Sequence, residues 1–230
     1  MGELSMDGAI VTLVAANAAF VGTHFAMSHP LRAAMVKALG AGGFSAAYSV
    51  VSFATLGWVY VAFKAAPPAD LGGSGDFGWI IATVLTWPAM VLLAGSLIGN
   101  PALPTPMAEA QARSQPKGVF KLTRHPMMWG IGLWALSHMA LLWSTRTMVT
   151  ALAMGILALV GAKLQDGKKE ALMGEAWAEW ESKTSYWPQL HKLPVVGAVP
   201  LLAGTVLWLA GSWLHLWQAG IPAGVWKWLG

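Results

Sequence analysis

The chain has 230 residues, 56% of them hydrophobic and 10% charged, with a net charge of +4 and no cysteine. A soluble domain carries roughly 25% charged residues, so the composition excludes one and points to a single membrane domain over 1–230 with no soluble module. The lack of cysteine excludes disulfides, iron–sulfur clusters, thiolate haem and zinc–thiolate sites, which leaves histidine as the strong nitrogen ligand for a transition metal.

The expected fold is all-α, a polytopic helix bundle of about six transmembrane helices with interfacial amphipathic helices beside them. The first span, 9–28, follows Glu3 and Asp7 with no basic leader, and reads as a retained span rather than a cleaved signal peptide. His29-Pro30 breaks it, and 31–40 reads as a short interfacial helix with Arg32 and Lys37 on its polar side. The second span is 44–65, ended by Pro67-Pro68; 69–76 is a Gly/Asp loop; the third span is 77–98. A polar, Pro-rich connection, 100–121, leads to the fourth span, 126–143. A tight turn with Arg146 precedes the fifth, 148–163. Within 165–183, Leu172, Ala176 and Trp180 recur at helical spacing beside acids and lysines, as in a helix lying on a membrane surface. The sixth span is 195–216, and the Trp-rich stretch 221–229 reads as interfacial.

The first, third and fifth loops hold 11 lysines and arginines, whereas the other side holds only Lys64, Arg146 and Lys227. The positive-inside rule therefore puts the long basic loops in the cytoplasm and both termini outside. The expected partners are the bilayer and a lipophilic small molecule, with no nucleic acid; the oligomeric state is not legible. Most of the 14 tryptophans read as an aromatic belt or as packing.

Ionisable groups at membrane depth are costly and mark functional sites. Of the six histidines, His191 falls in a loop and His29 caps a helix end, while His24, His125, His138 and His215 fall in or at spans. His138 lies thirteen residues after His125, so at about 100° per residue the two point to different sides of one helix. By depth alone, His24 pairs with His125, or His138 with His215. Two histidines from different helices suit a haem in a bundle core. Arg124 is either a positive anchor or a partner for a propionate, phosphate or carboxylate, and Asp166 stands where it can pair with Arg124. Asn100 either caps the third helix or lines a site.

Further residues suggest a family. Gly22-Thr23-His24, His29-Pro30-Leu31-Arg32, Leu39-Gly40, Phe44 and Tyr48-Ser49-Val50-Val51-Ser52 are followed by Leu122-Thr123-Arg124-His125-Pro126-Met127-Met128-Trp129-Gly130. Then come Leu133-Trp134-Ala135-Leu136-Ser137-His138 and Asp166-Gly167-Lys168-Lys169. In these the chain resembles the NnrU family of bacterial membrane proteins associated with denitrification. It is also similar to plant and cyanobacterial 15-cis-zeta-carotene isomerase. The resemblance covers about 10–190 and leaves 195–216 as an extra C-terminal span; the chain has Ala135 where the isomerase has cysteine.

The resemblance implies a haem b protein with iron held by His24 and His138, also the catalytic pair, with His125 as the substitute ligand and Arg124 holding a propionate; Arg32, in the shared His29-Pro30-Leu31-Arg32 segment, and Asn100 are further candidate cofactor contacts. The implied reaction is cis–trans isomerisation of a lipophilic polyene. One alternative is a membrane methyltransferase with a cytoplasmic S-adenosylmethionine site at the Arg-His-Pro corner. Another is a non-enzymatic haem protein or an assembly factor in denitrification.

Overall fold

The computed structural model describes residues 6–229, so Glu3, expected just ahead of the first span, lies outside the described residues. All regular structure among them is helical: α1 (Met6–Ser28), α2 (Arg32–Ala65), α3 (Gly75–Gly95), α4 (Ala108–Arg113), α5 (Pro126–Ala140), α6 (Thr145–Met173), α7 (Glu175–Lys183), α8 (Ala198–Ala219) and α9 (Trp226–Leu229). Five helices, α1, α2, α3, α6 and α8, are long and apolar enough to cross a membrane. The chain is a multi-pass membrane protein.

The expected fourth span is α5, and it is short. Its 15 residues rise about 22 Å, less than the roughly 30 Å of a hydrocarbon core. Pro126 fixes its start, where a missing N–H costs nothing. At its other end Leu71, Gly73 and Ser74 donate backbone N–H groups to the carbonyls of Trp143, Leu142 and Leu141, and Ser74 Oγ donates to Ala140 O. The α2–α3 loop thereby satisfies carbonyls that the end of α5 leaves open.

In space the long helices follow the order α2–α1–α6–α5–α3–α8. The connections α1–α2, α3–α5 and α6–α8 lie at one end, here called the basic end. The α2–α3 and α5–α6 connections lie at the other, the lean end. The α3–α8 contact is close because Gly204 faces backbone: a Cβ there would stand 2.4 Å from Val91 Cα. Two reciprocal bonds flank it, from Trp87 Nε1 to Thr205 Oγ1 (3.0 Å) and from Trp208 Nε1 to Thr86 Oγ1 (2.9 Å). Gly204→Ala is expected to push α8 off α3 and cost about 1–3 kcal/mol. Thermal unfolding in detergent checks this, and an unchanged midpoint would refute the packing described.

Two glycines set boundaries in this part of the fold. The interfacial piece 31–40 and the second span are separate helical segments, as expected: Gly40, with a non-helical φ of +69° and ψ of 171°, interrupts α2 between them. The expected surface helix 165–183 is divided by Gly174, with φ +52°. Its first half continues α6. Its second half, α7, buries Trp177 and Trp180 against Ala112, Val119 and Phe120 in a cap at the basic end, so its apolar face has a protein partner rather than lipid alone.

Candidate functional site

The residues singled out in the sequence separate into two groups at opposite ends of the bundle. At the basic end, His125 has the non-helical backbone expected before proline (φ −118°, ψ 54°). Thr123 pins this corner: its Oγ1 donates to Tyr186 O (2.8 Å) and accepts from His125 N (3.2 Å). Arg124 N donates to Ser185 O (2.8 Å). The Arg124 guanidinium forks onto Asp166, with Nη2 2.8 Å from Oδ2 and Nε 3.1 Å from both carboxylate oxygens. Nη2 also reaches Glu181 Oε1 at 3.0 Å.

His125 joins the same group. Its Nε2 stands 2.8 Å from Asp166 Oδ1 without the alignment of a hydrogen bond, so that contact acts through charge when the imidazole is protonated. Its Nδ1 faces Gln165 Oε1 at 3.2 Å, and the Tyr186 ring lies against both His125 and Arg124. Burial pushes the Glu181 carboxyl up, against the pull of Arg124 beside it.

The Arg124 charge at this end is met from within the chain. Asp166, with a side chain 3% exposed, neutralises Arg124 and ties the start of α5 to the end of α6. Asn100 is a cap: its Nδ2 donates to Ser96 O and its Oδ1 accepts from Ala102 N. The cleft shared by Asn100, Arg124, His125 and Gln165 measures about 30 Å³, which is water-sized. Arg32 stands at the start of α2, over the Phe44 ring and within electrostatic reach of Lys168 and Lys169.

His24 is held between α1 and α2. Its Nδ1 is 2.7 Å from Phe20 O, and since a carbonyl only accepts, Nδ1 carries the proton. Nε2 then accepts from Ser52 Oγ at 3.2 Å. Tyr48 packs edge-on to the ring. Both ring nitrogens are occupied.

At the lean end, α3, α5, α6 and α8, with Phe63 of α2 and the stretch 221–224, line a partly open cavity of about 380 Å³ whose His215 side is exposed, within the usual range for small-molecule sites. Its walls are apolar and aromatic, with Trp79, Met90, Trp134, Trp143 and Trp208, and it contains both His138 and His215. Their ring centroids are 6.1 Å apart at 41°. His138 Nδ1 is 2.8 Å from Trp134 O and His215 Nδ1 is 2.8 Å from Gly211 O. By the same argument each Nδ1 donates and each Nε2 keeps a free lone pair, the arrangement that orients ligating histidines. Trp134 lies 4.2 Å from the His138 ring and fixes its pose.

The structure thus brings His138 together with His215, the second of the two pairs that depth allowed. His24 and His138 share no contact among the described residues. The Arg124 and His125 group belongs to the other end of α5 from His138. Sequence reasoning missed Arg146 and Thr150, which also line the lean-end cavity. A signal existed for the first: Arg146 is one of three cations on the side away from the basic loops.

Among the described residues no cluster of three or more His, Asp or Glu could hold a metal ion by itself. No curated protein and no solved structure matches the chain. The sequence model of the family described as NnrU protein matches residues 12–223. That stretch takes in most of α1 and all of α2 to α8, His215 included, and the chain belongs to the NnrU family.

Proposed function

We propose that this chain is a haem b-binding membrane protein, in which the lean-end cavity would take the haem and His138 and His215 would hold its iron. The observation that carries the reading is the pair of imidazoles with free Nε2 atoms, 6.1 Å apart across one apolar cavity. With metal–imidazole bonds of about 2.0–2.1 Å, an iron between two rings separates their centroids by roughly 6 Å. Two histidines with no third ligand are too few for zinc or copper and suffice for iron already held by a macrocycle. When bound, haem supplies redox-active iron. The chain's residues would hold and orient it: Trp134 O and Gly211 O fix the two imidazoles, and the tryptophan walls offer an apolar surface to the macrocycle.

The resemblance extends this proposal to an activity, the cis–trans isomerisation of a lipophilic polyene, for which a Trp- and Met-lined cavity is a suitable surface. Placing the basic end in the cytoplasm puts the haem toward the outer side of a bacterial inner membrane. The methyltransferase reading loses support because Arg124 and His125 are spent on Asp166 and their cleft is water-sized. A pyridine haemochrome assay on detergent-purified protein, expressed with hemin, tests the proposal. Stoichiometric haem b is expected. No haem, together with binding of S-adenosylmethionine, would replace this reading with the methyltransferase.

A further inference from the structure

The lean-end cavity carries a cation that its two histidines do not explain. Arg146 sits in the first turn of α6 and lines the cavity. Its Nη1 donates to Phe63 O (3.3 Å) and Ala66 O (3.0 Å), carbonyls at the C-terminal end of α2. Its guanidinium carbon lies 4.5 Å over the Phe63 ring. These contacts fix the group in place and use one corner of the fork. Its Nε is buried with no hydrogen-bond partner among the described residues. One helical turn further along α6, Thr150 Oγ1 is likewise buried and unpartnered, and it lines the same cavity.

A buried donor without an acceptor is costly, and a guanidinium edge matches a carboxylate in two parallel bonds. The carboxylate that acts on Arg146 among the described residues does not fill the role. Asp70 lies within electrostatic reach of Arg146 but is solvent-exposed, and its Oδ1 accepts from Thr145 N at 2.7 Å. That backbone N–H holds the Asp70 carboxyl below its ordinary range.

We infer that Arg146, with Thr150, forms a carboxylate subsite in the cavity and pairs with a propionate of the haem proposed there. The inference rests on the haem reading. It assigns to Arg146 the role the sequence gave to Arg124, whose fork is occupied by Asp166 and Glu181.

The test is a Soret titration of full-length apoprotein in detergent with hemin and with hemin dimethyl ester, in wild type, Arg146→Gln and Arg146→Lys. A charge-assisted pair of this kind is expected to make wild type favour hemin over the diester about ten- to a hundredfold. Arg146→Gln should bind both at the diester's affinity, and Arg146→Lys should keep part of the preference. Equal affinities in wild type would overturn the inference without any variant, so a misfolded variant does not leave it untested. A preference that survives in Arg146→Gln would also overturn it and leave the haem reading standing. Failure of wild type to bind either compound would overturn the haem reading and this inference with it.

Discussion

Changing His138 and His215 together to alanine is expected to abolish stoichiometric haem binding, while His24→Ala retains it. Each single change at the pair should leave iron with one imidazole and convert a six-coordinate spectrum into a five-coordinate one. The reason lies in the free Nε2 atoms. Both Nδ1 atoms are committed to carbonyls one turn earlier in their own helices, so the imidazoles are held in the tautomer that ligates. His24 is held in the same tautomer, yet its Nε2 already accepts from Ser52. Its loss should loosen the α1–α2 contact and spare the cofactor. Haem content and the oxidised absorption spectrum of the purified variants check this. Haem loss in His24→Ala with retention in the double variant would place the iron elsewhere.

Asp166→Ala is expected to have the largest effect on stability. The carboxylate is 3% exposed and receives Arg124 in a fork with His125 on its other oxygen. Its removal leaves a mostly buried guanidinium without its main partner, a loss of about 3–5 kcal/mol for such pairs. It also frees the start of α5 from α6. The thermal midpoint in detergent should fall by an amount readily resolved, while any haem-loaded fraction keeps a wild-type spectrum, because the cluster and the cavity lie at opposite ends of the bundle. A wild-type midpoint would show the cluster to be a dispensable surface contact.

The bundle was legible because apolar runs, proline breaks and loop charge all report the same thing, a chain crossing a membrane. The Arg124–Asp166 pair was legible too, since both residues fall at span ends on the same side. The unusual length of α5 was not: hydropathy ran on through Leu141, Leu142 and Trp143, which instead form a turn carrying the hydrogen bonds of residues 71–74. The partner of α7 was hidden because Trp177 and Trp180 satisfy a membrane-surface pattern and a protein core equally well.

The histidine pairing shows the limit most clearly. Spacing along one helix gives depth and azimuth, and depth allowed His138 with His215. Only the helix order could say that α8 stands beside α3 and faces α5 across a cavity. Motif resemblance favoured His24, whose environment in α1 and α2 is that of a packed, fully bonded histidine. Arg146 was read as a stray cation in a turn, because nothing in the sequence shows that its Nε faces no acceptor.

The central claim is that His215 is an iron ligand. The most direct measurement is a redox titration of haem-loaded wild type, His215→Met and His24→Met. Thioether ligation in place of imidazole raises the potential of haem iron. The account predicts a midpoint shifted upward in His215→Met and unchanged in His24→Met. An unshifted His215→Met beside a shifted His24→Met would contradict it.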